Sequence, residues 1–110
     1  MALLRTYPNA ACIAIDVDPA AVALAGDNAL STGVQSRYTA LHTSFKDYAS
    51  NGFITDKYDF DLIVSNPPYI STAEIPLLQA EVGLYESHIA LHGGTDGLDI
   101  AREIWSHAPQ

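Results

Sequence analysis

Cys12-Ile13-Ala14-Ile15-Asp16-Val17, followed at once by Asp18-Pro19, decides how this 110-residue chain folds. A short apolar run with no polar alternation suits a parallel strand covered on both faces. Asp18 then offers an N-cap, and Pro19 suits the first helical position, where a backbone N–H is not needed. From Pro19 to Leu30 the pattern predicts a helix with Val22, Ala25, Ala29 and Leu30 along one face. Gly33 stands where such a helix would stop.

Working outward, Arg37 to His42 is a second, weaker strand. Phe60 to Ser65 is a third, rich in branched residues and halted by Pro67-Pro68. Between them, Thr43 to Asp59 reads as loop with at most a helical turn. Ala73 to Val82 predicts a short helix, limited by Pro76 to starting near there. Gly93 to Gly97 predicts a tight loop, and Leu98 to Ala108 a helix with Ile100, Ile104 and Trp105 as its apolar stripe. Strand, helix, strand, linker, strand, helix is the rhythm of a parallel α/β sheet. The length suits one domain over residues 1–110. Such sheets bind ligands at the carboxyl ends of their strands. Asp16 lies near the end of the first strand, read as Cys12 to Val17, and Asn66 just past the third, so both could belong to one site.

Composition narrows the function classes. Apolar residues make up 48% and charged residues 16%, a globular balance. No apolar run approaches the ~20 residues that span a bilayer, and the first residues match neither a signal nor an organelle-targeting peptide. Five basic against thirteen acidic residues give a formal charge of −8. Duplex binding needs clustered Lys and Arg, and here they are scattered, so no stable grip on nucleic acid is expected. The single Cys12 excludes an internal disulfide and fits a reducing compartment. These features predict a soluble intracellular chain and set no oligomeric state.

Asn66-Pro67-Pro68-Tyr69 carries the chemistry. Each proline fixes its own φ, removes an N–H and pushes the preceding residue toward extended backbone. The product is a stiff exit from a strand with carbonyls left available. The Asn66 amide oxygen and the Pro67 carbonyl could together accept both hydrogens of an –NH2 group. Tyr69 offers a flat face for a planar amide or base. An electrophile that brings its own positive charge, such as a sulfonium methyl, needs no Lys or Arg beside it.

The run Phe60-Asp61-Leu62-Ile63-Val64-Ser65-Asn66-Pro67-Pro68-Tyr69-Ile70 resembles the signature of the release-factor glutamine methyltransferases (HemK/PrmC). The likeness continues through Glu81-Val82, Tyr85-Glu86, Ala90-Leu91, Gly93-Gly94 and Asp96-Gly97-Leu98. Upstream, Ile13 to Asp16, Pro19 to Ala25 and Asn28-Ala29 are also similar to that family. The resemblance implies a doubly wound, Rossmann-like sheet, with residues 1–110 as part of a catalytic domain. It implies methyl transfer from S-adenosylmethionine to the glutamine amide in the Gly-Gly-Gln motif of peptide chain release factors. Asp16 then matches the acid that holds the ribose hydroxyls, and Phe45 the residue against the adenine. Asn66 also borders the cofactor in this scheme. Ser44 stands where an Asp is common, and Ser87 where proline is usual. Asn66 and Pro67 match the acceptors of the substrate –NH2, Tyr69 the stacking residue, and Pro68 completes the loop.

The family's first strand and glycine-rich loop have no counterpart here, nor do its last strands. Weak or no cofactor binding by the chain as it stands is therefore an expectation, as is a longer gene product. The implied location is the cytoplasm, or a mitochondrion or plastid in a eukaryote. Two rival readings stay open. Asn-Pro-Pro-Tyr also serves enzymes that methylate exocyclic amino groups of bases, although flipping a base from a duplex wants a basic groove. A catalytically silent piece could instead present the Asn66 loop to a partner.

Other residues have plainer readings. His88 and His92 lie four apart, but no third ligand completes a shell and Gly93-Gly94 argues against helix there, so no metal is expected. His42 and His107 are lone. Asp61 precedes the buried run and reads as a solvated charge. Gly93, Gly94 and Gly97 lack the spacing and lysine of a phosphate loop.

Overall fold

The computed structural model describes residues 1–51, 60–77 and 88–107. It divides into two compact units, Met1–Asn51 and Gly52–Gln110. The architecture is α/β, built on a two-stranded parallel sheet.

The first unit begins with helix α1, Ala2–Thr6, and strand β1, Cys12–Asp16. Helix α2, Pro19–Ser31, begins at the Asp18-Pro19 start signal: the Asp18 carboxylate accepts from the Ala20 N–H at 2.8 Å. Gly33, at φ +71, lies just past its end in the left-handed region that favours glycine. A 3₁₀ turn at Gln35–Arg37 leads into strand β2, Tyr38–His42. The strand therefore starts one residue later than Arg37, and Arg37 has another task. Its guanidinium donates to the carbonyls of Leu4 (2.7 Å), Tyr7 (3.1 Å) and Ala10 (2.7 Å), closing the unpaired end of α1.

Strands β1 and β2 pair in parallel register, Cys12 opposite Tyr38 through Asp16 opposite His42. Leu4, Ala29 and Val34 form the core, packed by Met1, Ala10, Cys12 and Tyr38. Two expectations need correction. Strand β1 is only half-buried rather than covered on both faces, because β2 is its single neighbour among the described residues. Leu30 is 65% exposed, so the buried stripe of α2 runs through Val22, Ala25 and Ala29 without it. Spacings of three and four keep those residues on one line, whereas Leu30 lies a further ~100° around the helix.

The stretch read as loop after Thr43 holds a helix, α3, Phe45–Ser50. Ser44 caps it, accepting from the Asp47 N–H at 3.0 Å. Tyr48 and Ala49 are buried. Residues 52–59 lie outside the description.

In the second unit the third predicted strand is not seen. Residues 60–69 join no ladder among the described residues, and Leu62 and Val64 are exposed. A strand is completed by a neighbour that pairs with its N–H and C=O groups, and branched apolar residues cannot supply one. Pairing starts instead at Ile70, bridged in parallel to His92. The predicted helix at Ala73–Val82 appears in its described part as a turn and the 3₁₀ segment Ile75–Leu77. Residues 78–87, including Glu81-Val82, Tyr85-Glu86 and Ser87, lie outside the description.

Helix α4, His88–Leu91, replaces the non-helical reading of that stretch, because it ends before Gly93 is reached. Helix α5 spans Asp99–His107. Ile100 and Ile104 are half-buried, but Trp105 is 77% exposed and is not the core residue its stripe suggested. Residue 105 is one step past Ile104, enough to rotate it off the covered face. No helix among the described residues is long and apolar enough to cross a membrane.

Candidate active site

At the carboxyl end of the β1–β2 pair the structure brings together Asp16, Ser44 and Phe45. Asp16 is the last residue of β1 and is exposed. One of its carboxylate oxygens accepts from the Asp18 N–H at 2.9 Å. No hydrogen bond among the described residues uses the other oxygen. The Asp16 carbonyl accepts from the Thr43 N–H at 3.0 Å, which carries the ladder one step beyond the strands. That bond holds the entry to α3 beside Asp16. Phe45, the first residue of α3, is half-buried.

Ser44 is committed locally. Its hydroxyl donates to the Asp47 carboxylate at 2.6 Å while accepting from the Asp47 N–H. A hydroxyl in that role is a helix cap, so it does not stand in for a carboxylate.

The Asn66 loop lies in the second unit. Asn66 and Tyr69 are exposed, and Pro67 and Pro68 half-buried. Among the described residues no hydrogen bond occupies the Asn66 amide or the Pro67 carbonyl. The segment Ile70 to Glu74, just past the loop, is well anchored. Ile70 N–H donates to Leu91 carbonyl at 3.0 Å, and Gly93 N–H to Ile70 carbonyl at 2.9 Å. Thr72 donates its N–H to Gly94 carbonyl at 3.0 Å, and its hydroxyl lies 2.9 Å from His92 Nε2. Ser71 donates from its hydroxyl (2.6 Å) and its N–H (3.2 Å) to the Glu74 carboxylate, which holds that carboxyl below its ordinary range.

The glycine loop presses against the back of this segment. A Cβ on Gly93 would stand 2.6 Å from the Pro68 carbonyl oxygen and 2.7 Å from that of Gly97. One on Gly97, whose φ is +80, would strike the Tyr69 carbonyl oxygen. These glycines let two stretches of backbone approach more closely than any side chain permits. Beyond them, the Asp96 carboxylate accepts from the Leu98 N–H at 3.2 Å and pairs with both terminal guanidinium nitrogens of Arg102, Nη1 and Nη2. The Arg102 guanidinium holds the Asp96 carboxyl below its usual range.

Asp16, Ser44 and Phe45 thus share one sheet end in the first unit. Asn66, Pro67, Pro68 and Tyr69 share one loop in the second. Sequence pattern alone did not single out Arg37 or Arg102, nor the contacts of Gly93 and Gly97 with the proline loop. For Arg102 a signal was present: Asp96, the one acid of the glycine turn, lies six residues before a lone arginine on a helix.

Among characterised proteins, this chain is similar to methyltransferases. It is 45% identical over 107 residues to the release factor glutamine methyltransferase of Cereibacter sphaeroides, covering 97% of this chain and 36% of that protein. It is 42% identical over 110 residues to the protein of that name from Geobacter sulfurreducens, covering 100% of this chain and 36% of the relative. The ribosomal protein uL3 glutamine methyltransferase of Neisseria meningitidis is 37% identical over 102 residues, 93% of this chain and 31% of that protein. No protein-family model matches the chain. The relatives define the class as methyltransferase. Over nearly its whole length the chain is similar to the release factor glutamine methyltransferases, and it spans about a third of the length of the curated relatives it matches.

Proposed function

We propose that the protein transfers a methyl group from S-adenosylmethionine to the side-chain amide nitrogen of the glutamine in the Gly-Gly-Gln motif of a peptide chain release factor. In this reading the chain is part of a doubly wound, Rossmann-like catalytic domain. It works in the compartment where translation terminates, the cytoplasm or an organelle. The observation that carries the proposal is the Asn66-Pro67-Pro68-Tyr69 loop, with its acceptors unused among the described residues and its far side held by backbone hydrogen bonds and glycine contacts.

The first unit fits the cofactor. An exposed strand-end carboxylate with one oxygen unused among the described residues suits a pair of ribose hydroxyls. Phe45, the first residue of the helix that follows the same sheet end, brings an aromatic ring that suits an adenine face. Asp16 and Phe45 would hold the cofactor, while Ser44, occupied by Asp47, would not take the adenine amino group. When bound, S-adenosylmethionine supplies an electrophilic methyl on a positively charged sulfur.

The remaining work falls to this chain's own residues. The Asn66 amide oxygen and the Pro67 carbonyl each accept one hydrogen of the glutamine –NH2, and Tyr69 lies against the amide plane. Two such bonds orient the amide and draw electron density toward its nitrogen. Alignment of this kind is worth about 7–11 kcal/mol of a barrier when reacting atoms are held near attack distance. The amide proton becomes acidic only after transfer and can leave to water, so no strong base is required.

Assaying the complete protein with labelled cofactor tests this. A release factor should take up label at the glutamine amide, and Asn66→Ala should slow turnover about 10²-fold or more, as loss of one preorganised polar contact does elsewhere. Label on an adenine-containing oligonucleotide instead, or an unchanged Asn66→Ala rate, would sink the reading. The uL3-directed relative favours a second substrate of the same chemistry, a glutamine of ribosomal protein uL3. Running both protein substrates side by side separates them.

A further inference from the structure

We propose that Gly97, held in place by the Asp96–Arg102 ion pair, is a positioning residue for the amide acceptors Asn66 and Pro67. The inference rests on the reading of that loop as the amide site.

Between Asn66 and the anchored residue Ile70 lie two prolines, Pro67 and Pro68, each with its φ locked by its ring. The loop therefore behaves as a stiff arm, and an error in the direction of Tyr69 passes to Asn66 with little relief. The base of the arm is fixed by the bonds from Ile70 N–H to Leu91 and from Gly93 N–H to Ile70 carbonyl. Its middle rests on glycines, Gly93 behind the Pro68 carbonyl and Gly97 behind the Tyr69 carbonyl.

Gly97 sits at φ +80, a conformation glycine adopts readily and L side chains rarely do, and the turn around it is closed. The residues on either side supply that closure. Asp96 accepts from the Leu98 N–H and from both terminal guanidinium nitrogens of Arg102, which stands in the first turn of α5. The Asp99 N–H bonds the Gly93 carbonyl at 3.0 Å, tying the other end of the loop to the same helix. A planar two-pronged pair fixes direction as well as distance. Asp96 and Arg102 thus lie outside the loop that carries the acceptors, yet set where Gly97 meets Tyr69.

The test uses the complete protein with a release factor as substrate. It measures kcat and KM, and cofactor affinity by calorimetry. Gly97→Ala should lower kcat about 10²-fold, the scale of a 1 Å misplacement, with cofactor affinity unchanged. Arg102→Gln and Asp96→Asn should each lower kcat by a smaller factor. Their double variant should be no worse than either alone, as for two halves of one contact. Arg102→Lys should recover part of the loss. Both exposed side chains can be changed without opening a core, so these variants decide the matter even where Gly97→Ala does not fold. Unchanged kcat in Arg102→Gln and Asp96→Asn overturns the proposal, as does a loss that only parallels falling melting temperature and cofactor affinity. Asn66→Ala is the control. Should it retain full turnover, the amide-site reading and this inference fall together. Should it abolish turnover while the Arg102 and Asp96 variants keep theirs, only the positioning role fails.

Discussion

The two units are held together by different means. In Met1–Asn51 the buried residues are side chains: Leu4, Ala29, Val34, Tyr48 and Ala49, beneath a regular parallel ladder. In the second unit the described buried residues are Gly93 and Gly97, and Leu62, Val64, Tyr69, Leu77 and Trp105 stand exposed. One unit buries apolar surface, and the other brings backbone against backbone. A side-chain core tolerates substitutions of similar volume. A glycine contact against a carbonyl tolerates none, and it fixes a loop whose job is to aim carbonyl and amide oxygens.

The largest expected effect breaks the first unit and spares the second. Leu4→Ala should cost about 2–5 kcal/mol, the usual range for emptying a buried leucine site. Amide exchange should quicken across β1 and β2 while the Ile70 and Gly93 amides keep their protection. Equal loosening of both would show that the contrast is not real.

Gly93→Ala should do the reverse. Its methyl would stand against the carbonyls of Pro68 and Gly97, so backbone must shift, at about 1–3 kcal/mol by the measure of overpacked sites. Exchange at Ile70 and Thr72 should rise and β1 should be untouched. Arg37→Gln comes next. It removes a charged donor from three carbonyls at the end of α1 and in the turn just beyond it, and about 1.5–3 kcal/mol attaches to charged hydrogen bonds of this kind, less where solvent reaches them. The loss should appear as fraying of α1 in the helical exchange pattern, with β2 intact.

What could be read in the sequence divides along the same line. Cys12 to Asp16, the Asp18-Pro19 start of α2 and the stop near Gly33 are local signals, and the structure repeats them. The tight turn at Gly93 to Gly97 was legible for the same reason, since positive φ at Gly94 and Gly97 is a local demand. Phe60 to Ser65 misled because a branched apolar run states a preference and cannot name a partner strand. Phe45 to Ser50 is too short to show a helical period, and only the Ser44-x-x-Asp47 cap announces it. Of the site, Asn66 to Tyr69 stands out by its prolines, and Asp16 by its strand end. The support behind the loop does not, since contact between residues 68–69 and 93–97 is made by folding and leaves no spacing to find.

The smallest effect is on pH, and the two units should answer it at opposite ends of the scale. In the second unit Asp96 and Glu74 have carboxyls held below their ordinary values of 3.8 and 4.5, the first chiefly by the hydrogen bond from Arg102, the second by that from the Ser71 hydroxyl. A group whose folded value is depressed adds stability above its unfolded value and loses it as pH falls through the folded one. Acid below about pH 4 should therefore loosen the Ser71 and Asp96 turns first. In the first unit burial, with a smaller push from Cys12, raises the Tyr38 phenol above 10.0. Its sign is the opposite: the stability is whole below that value and fades as pH climbs through the raised one. Both carboxylates are exposed, so solvent keeps each effect small, and residue-level amide exchange will resolve it better than a melting curve. Asp96→Asn should flatten the acid response of the second unit and leave the alkaline response at β2 alone. A β1–β2 ladder that loosens in acid together with the Asp96 turn would mean that the two units share a stability that their separate cores do not explain.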